Sequence, residues 1–109
     1  MPEGLKIFDL TGKVTVITGG AGVLGFAMAH GLGKVGAKII VCDIKNAEDA
    51  AKKLAEESIE AEGYYTNVMD IENLKEVAKK IEEKYKRVDV LINCAGGNMK
   101  EATTSPELS

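Results

Sequence analysis

Short apolar, β-branched runs alternate along the chain with segments whose apolar residues recur every three or four positions. Runs of the first kind fit buried strands, and segments of the second kind fit helices that pack by one face. The predicted strands cover residues 14–18, 38–42, 63–66 and 88–93, and the predicted helices cover residues 26–35, 47–58 and 71–85. This alternation is typical of an α/β fold with a parallel sheet and helices on both faces. Right-handed crossovers favour a doubly wound, Rossmann-type sheet with the strand order 3-2-1-4.

A glycine-rich turn lies between the first predicted strand and the first predicted helix. Gly20, Gly22 and Gly25 have the spacing G-x-G-x-x-G, and Asp43 directly follows the second strand. In such a turn, unpaired backbone N–H groups and the positive end of the helix face a pyrophosphate, while the later carboxylate binds a ribose hydroxyl pair. The pattern predicts a dinucleotide site. The alternative that the glycines alone leave open is a tight turn that binds nothing.

Composition narrows the class of protein. A length of 109 residues with 45% apolar content is that of one domain. The net charge is −3, and 14 basic residues are interleaved with 17 acidic ones, so nucleic acid and anionic lipid are not expected partners. No apolar stretch approaches the ~18 residues of a membrane span, and the N-terminus lacks a signal-peptide core, so a cytoplasmic protein is expected.

The two cysteines do not form a metal-binding or disulfide pattern. Cys42 and Cys94 are neither a C-x-x-C pair nor accompanied by histidines at ligand spacing, so no metal site is predicted. In the predicted strand order they lie about 10 Å apart, beyond the ~7 Å limit between the Cα atoms of a disulfide. Both thiols are therefore expected to be reduced. The single histidine, His30, is assigned no role.

A third motif, Asn93-x-Ala95-Gly96, lies at the end of the fourth strand, beside the first strand. This is the crevice where the strand order reverses and where ligands bind in such sheets. Together the motifs resemble the N-terminal half of the short-chain dehydrogenase/reductase family, and the similarity covers residue 8 to about residue 104. The residues that carry the resemblance are Thr18, Gly19, Gly25, Asp43, Asn93, Ala95 and Gly96.

The resemblance implies a nicotinamide dinucleotide as cofactor. In the family, the turn glycines shape the loop, amides of the first helical turn meet the pyrophosphate, and the acid after the second strand holds the adenosine ribose. The charge of Asp43 would repel a 2′-phosphate, and the loop 19–24 has no Lys or Arg, so NAD is favoured over NADP. The predicted cofactor-binding residues are Gly19, Gly22, Val23, Leu24, Gly25, Asp43, Asn67, Val68, Asn93, Ala95 and Gly96.

The sequence departs from the family pattern at two places. Val23 stands where the family has its middle glycine, with Gly22 one position earlier, and a side chain there crowds the phosphates unless Gly22 absorbs the shift. Near the adenine, Asn67-Val68 stands where the family has Asp-Val. The amide oxygen of Asn67 is still expected to accept the adenine amino proton.

The family's catalytic residues are not found in this sequence, so no catalytic residue is predicted. Its acid/base is the tyrosine of a Tyr-x-x-x-Lys motif, and none of Tyr64, Tyr65 and Tyr85 has a lysine four positions later. The resemblance therefore implies the cofactor-binding N-terminal part of a longer oxidoreductase, inactive by itself, that moves a hydride between NAD and a small hydroxyl or keto substrate. The stretch 96–104 resembles the sugar-acid branch, of the mannonate (fructuronate) oxidoreductase type.

Two other functions remain open on the residues alone. One is a nucleotide-binding or interaction module without catalysis. The other is an S-adenosylmethionine-dependent methyltransferase, which also uses a glycine loop and an acidic ribose ligand, although Thr18 and the motif at 93–96 argue against it. The outer edge of the fourth strand is apolar and has no predicted neighbour, so the isolated 109-residue chain is expected to aggregate or to form a dimer. For a longer parent of the family that the chain resembles, a homo-oligomer is expected.

Overall fold

The apolar runs form a parallel sheet in the computed structural model, which describes residues 9–94 of the chain. Its strands are β1 (Val14–Thr18), β2 (Lys38–Asp43), β3 (Ala61–Tyr65) and β4 (Val90–Asn93). They lie in the order β3-β2-β1-β4, and β1 pairs in parallel with both β2 and β4. The predicted Rossmann-type strand order is confirmed.

Three helices cover the two faces of this sheet: α1 (Val23–Lys34), α2 (Ala47–Ala55) and α3 (Ile71–Tyr85). Alternate side chains of a strand point to opposite faces, so the central strands β1 and β2 contribute to two cores. The core beneath α1 and α2 includes Ile17, Ala29, Ile39, Val41 and Leu54. The core beneath α3 includes Val14, Val16, Ile40, Val77 and Ile81. Helices on both faces are thereby confirmed.

The first two helices differ from their predicted bounds. α1 begins at Val23 rather than at residue 26, because the side chains of its first turn are exposed and the burial pattern does not mark its start. α2 ends at Ala55 rather than at residue 58, and the chain then turns through Ser58, whose φ of 65° is left-handed. Both differences lie at helix ends, where burial says least about the backbone.

The outer strands also differ at their ends. β3 covers residues 61–65 rather than 63–66, since Ala61 and Glu62 pair with Ile39 and Ile40 of β2. β4 begins at Val90 rather than at residue 88, and pairing with β1 starts there. β2 ends at Asp43 rather than at residue 42, and α1 ends at Lys34 rather than at residue 35. β1 and α3 have the predicted bounds.

The two cysteines lie on opposite faces of the sheet. Cys42 is buried in the core beneath α3, whereas Cys94 packs against the core beneath α1 and α2. Both are free thiols. Among residues 9–94, no three or more His, Cys, Asp or Glu residues come together as a potential metal site. No helix in this part of the chain has the length and apolar character to cross a bilayer.

A carboxylate on the outer strand β3 gathers three donors from β3 and α3. Glu62 Oε1 accepts hydrogen bonds from the hydroxyls of Tyr64 (2.8 Å) and Tyr85 (2.7 Å), and Lys84 Nζ pairs with its other oxygen. Burial alone would raise the pKa of Glu62, but these donors lower it overall. Burial and the Glu62 carboxylate raise the pKa of Tyr64 to about 12 and also raise that of Tyr85. The cluster ties the end of α3 to the edge of the sheet.

This cluster predicts a loss of stability in alkali. A tyrosine whose pKa is raised by folding stabilises the protein fully below its ordinary pKa of about 10, and loses that contribution as pH rises through the folded value. For Tyr64 the window is pH 10 to about 12. Glu62→Gln should flatten the fall in the free energy of unfolding across this window and cost about 1–2 kcal/mol at pH 8. Urea unfolding from pH 8 to 12 measures both effects, and equal slopes in the two proteins would contradict the assignment.

The exposed Tyr65 provides the control for that experiment. Its ring is 58% exposed. Tyr65→Phe should leave the alkaline fall in unfolding free energy as it is in the unchanged protein.

Candidate cofactor-binding site

Of the predicted site residues that the structure describes, most lie at the carboxyl ends of β1, β2 and β4. The Gly19 amide donates to the Cys42 carbonyl at 2.7 Å, and the Cys94 amide donates to the Thr18 carbonyl at 2.8 Å. The Thr18 hydroxyl donates to Asn93 Oδ1 at 2.7 Å. These bonds extend the pairing of β1 with its two neighbours beyond the strand ends. They hold the glycine turn in the crevice where the strand order reverses.

Gly19 and Gly25 are glycines that this turn requires, and Gly20 is also closely packed, since a Cβ there would lie 3.0 Å from the Ile17 carbonyl oxygen. Gly19 has a φ of 72°, in the left-handed region that favours glycine. A Cβ atom on Gly25 would lie 2.0 Å from the Gly19 carbonyl oxygen, so the start of α1 rests directly on the turn. A Cβ on Gly22 would lie 3.5 Å from that same oxygen, an ordinary contact. The literal G-x-G-x-x-G spacing therefore includes one glycine, Gly22, that the turn does not need for space.

Val23 stands where the family that the chain resembles has a glycine, and here it begins α1. Gly22 is the N-cap of α1 with extended backbone (φ −76°, ψ 173°), a conformation open to any residue. Val23 is the first helical residue and is 94% exposed. Among residues 9–94, no backbone acceptor reaches the amides of Val23 and Leu24. The first turn also contains no acidic residue, so unpaired donors and the positive end of the helix remain open to an anion.

Asp43 ends β2 next to this turn. Its Oδ2 accepts a hydrogen bond from the Ala21 amide at 3.0 Å, and its Oδ1 accepts one from the Lys45 amide at 3.3 Å. The carboxylate is partly buried, and among the described residues it forms no ion pair. It is thus a charged acceptor fixed beside the open helix end, with lone pairs left for further donors.

The residues predicted near the adenine lie directly beyond β3. The Thr66 amide donates to the Asp43 carbonyl at 2.8 Å, which brings the start of the β3–α3 turn alongside the end of β2. Asn67 Oδ1 accepts from the Met69 amide at 3.0 Å, so one of its lone pairs already shapes this turn and one remains for an adenine amino group. Val68 is 40% exposed and Ile44, next to Asp43, is 51% exposed.

Two features of this edge were not expected from the sequence. The Ala21 amide reaches Asp43, and no side-chain pattern signals a bond made by a backbone N–H. The other feature is the exposed side chain of Ile44. Its position directly after Asp43 in the sequence could have indicated that it lies at this edge. Of the remaining predicted residues, Asn93 is in the crevice, while Ala95 and Gly96 lie outside the described residues.

Known proteins resemble this chain in sequence and in fold. The family model for short chain dehydrogenase matches residues 13–109. The chain is 42% identical over 92 residues to the 5-keto-D-gluconate 5-reductase of Escherichia coli (strain K12), covering 83% of this chain and 36% of that protein. It is 39% identical over 95 residues to the 2-dehydro-3-deoxy-D-gluconate 5-dehydrogenase of Formosa agariphila, covering 84% of this chain and 36% of that protein.

A solved structure agrees with the sequence comparison. A Haemophilus protein provisionally named as a D-mannonate oxidoreductase, with bound NAD, matches with a TM-score of 0.76 and 38% identity, covering 86% of this chain and 34% of that one. The fold and the match identify a Rossmann-type domain. The chain belongs to the short-chain dehydrogenase family. It spans 36% or less of the length of these three proteins.

Proposed function

We propose that this chain is the NAD-binding part of an oxidoreductase that transfers a hydride between NAD and a hydroxyl or keto group of a sugar acid. One observation carries the proposal: the Asp43 carboxylate is fixed at the glycine turn, beside the unpaired amides that open α1. Helix-start amides match a diphosphate, and a carboxylate at the end of the next strand matches a ribose diol.

NAD is the preferred dinucleotide because of the charge at the ribose. A 2′-phosphate bound here would face the Asp43 carboxylate, and like charges at such a distance repel. The loop from residue 19 to residue 24 carries no Lys or Arg to offset that repulsion. The Haemophilus neighbour was solved with NAD bound, which supports the same choice.

The substrate class rests on the relatives. Two of them are named for keto derivatives of gluconate, and the structural neighbour is named for mannonate. All three names describe sugar acids, which carry the hydroxyl or keto group that a nicotinamide oxidises or reduces. We therefore propose that the substrate of the oxidoreductase to which this chain contributes is also a sugar acid.

The acid/base group of the reaction would come from sequence outside this chain. An apolar groove of about 700 Å³ runs between α3 and β4, lined by Val16, Ile81, Val88 and Leu91 among others. Leu91 is 67% exposed on β4, whose outer edge pairs with no described strand. Further chain packed on this edge would cover the groove and complete the domain, as the length of the relatives also favours.

Titration of the intact protein with NAD, NADP and S-adenosylmethionine tests the cofactor. NAD should bind about tenfold or more tightly than NADP, since 1.4 kcal/mol of charge repulsion is sufficient for that ratio. Asp43→Asn should reduce the ratio of the affinities for NAD and NADP. Glu72→Gln removes an exposed carboxylate on α3 and should leave this ratio unchanged. Equal affinity for NADP would refute the choice of NAD, and binding of S-adenosylmethionine alone would establish the methyltransferase reading. Absence of NADH oxidation with any sugar-acid ketone would favour the non-catalytic module.

A further inference from the structure

The bond between Asp43 and Ala21 connects the end of β2 to the glycine turn that follows β1. The Ala21 amide donates to the Asp43 carboxylate at a distance of 3.0 Å. The turn is otherwise held by backbone bonds at its two ends, from the Gly19 amide to Cys42 and from the Gly22 amide to Gly19. The Ala21 bond is therefore the side-chain hydrogen bond to the middle of the turn among the described residues, and it adds to the packing of Ala21 against the core beneath α1 and α2.

The Asp43 carboxylate can accept the Ala21 bond and still accept hydrogen bonds from a ribose. Two carboxylate oxygens offer about four acceptor positions. The amides of Ala21 and Lys45 occupy two of them. About two remain, which matches the two hydroxyls of a ribose.

The turn needs such a contact because glycine is its main component. Three of its four residues, Gly19, Gly20 and Gly22, are glycines, which lose the most conformational freedom when they are ordered. A hydrogen bond to a charged acceptor is stronger than a neutral one. Ordering the turn before the cofactor arrives removes that cost from the binding step.

We propose that Asp43 is a positioning residue for the glycine turn, holding Ala21 so that the amides of Val23 and Leu24 are aimed at the diphosphate before any cofactor is bound. Loss of Asp43 would then weaken contacts to the phosphates as well as to the ribose. The consequence for the cofactor rests on the proposed function, whereas the hydrogen bond between Asp43 and Ala21, called the clamp from here on, belongs to the protein by itself.

Hydrogen–deuterium exchange resolved at single amides of the cofactor-free, intact protein tests the clamp. Asp43→Ala should speed exchange of the Ala21 amide about tenfold or more, as expected for a lost hydrogen bond to a charged group. Asp43→Asn keeps an acceptor oxygen at the same place and should leave Ala21 within about threefold of its original rate. The Gly19 amide, bonded to Cys42, is the internal reference and should not change.

Nicotinamide mononucleotide tests the effect on phosphate binding, because it carries a phosphate but no adenosine ribose for Asp43 to contact. Asp43→Ala should weaken its binding several-fold and Asp43→Asn should not, while both variants weaken NAD.

The clamp is overturned by unchanged Ala21 exchange in Asp43→Ala or by an equal rise at Gly19. It is also overturned by loss of Ala21 protection in Asp43→Asn, a test that stands even where the alanine variant fails to fold. If the Ala21 and Gly19 amides exchange as expected in the variants but the protein does not bind NAD, the proposed function is rejected and the clamp is established.

Discussion

Replacing Gly25 with alanine is expected to abolish dinucleotide binding and to lower the free energy of unfolding by about 3 kcal/mol or more. The added Cβ would lie 2.0 Å from the Gly19 carbonyl oxygen and 2.8 Å from the Gly20 Cα atom. Both atoms belong to the backbone, so no side-chain rotation relieves the overlap. Either α1 moves away from the turn or the turn moves away from β1, and each movement displaces the amides that would bind the diphosphate.

Gly22→Ala is the matched control in the same turn. Its Cβ would meet the Gly19 oxygen at 3.5 Å, and its backbone is already in a conformation that alanine adopts. Its free energy of unfolding should stay within about 0.5 kcal/mol of the unchanged protein. Urea unfolding and NAD titration of the two variants measure the contrast. Equal stability of the two variants would show that α1 does not rest on the turn as described.

The layered fold was readable from the sequence because burial and periodicity coincide there. β1 is buried on both faces and α3 along one face, and both have their predicted bounds. The start of α1 was wrong because Val23 and Leu24 are apolar residues exposed at a helix end. Apolar periodicity reports which side chains are buried, so it is silent where an apolar side chain faces water.

The sequence predicted which residues lie at the candidate site, but it did not predict the hydrogen bonds between them. The turn, Asp43 and Asn93 meet at one edge because parallel strands end there. Whether a glycine is needed for its φ, for space or for neither depends on backbone positions, which the spacing does not encode. Gly22 illustrates this, since it fits the motif but occupies an ordinary conformation. The Ala21 amide shows the same limit, because any residue type carries that donor.

Gly63 also makes a close approach, to the first turn of α2, on the side of β2 away from the glycine turn. Gly63 pairs with Val41 of β2, and the first turn of α2 crosses directly over it. A Cβ on Gly63 would lie 2.3 Å from the Ala47 carbonyl oxygen and 2.8 Å from the Glu48 amide nitrogen. Ala47 is buried, with 5% exposure, so α2 has little room to yield. Glycine at this position lets the helix lie against the outer half of the sheet.

Gly63→Ala is therefore expected to lower the free energy of unfolding by about 3 kcal/mol or more, whereas Gly31→Ala should raise it by about 0.5–1 kcal/mol. Gly31 lies inside α1, where an added Cβ meets nothing within 4 Å, so alanine there only improves helix propensity. Urea unfolding of the two variants measures opposite signs for the same chemical change. Since α2 begins four residues after Asp43 (47 − 43), its displacement should also weaken NAD binding. A Gly63→Ala protein with unchanged stability would contradict the described packing of α2 on β3.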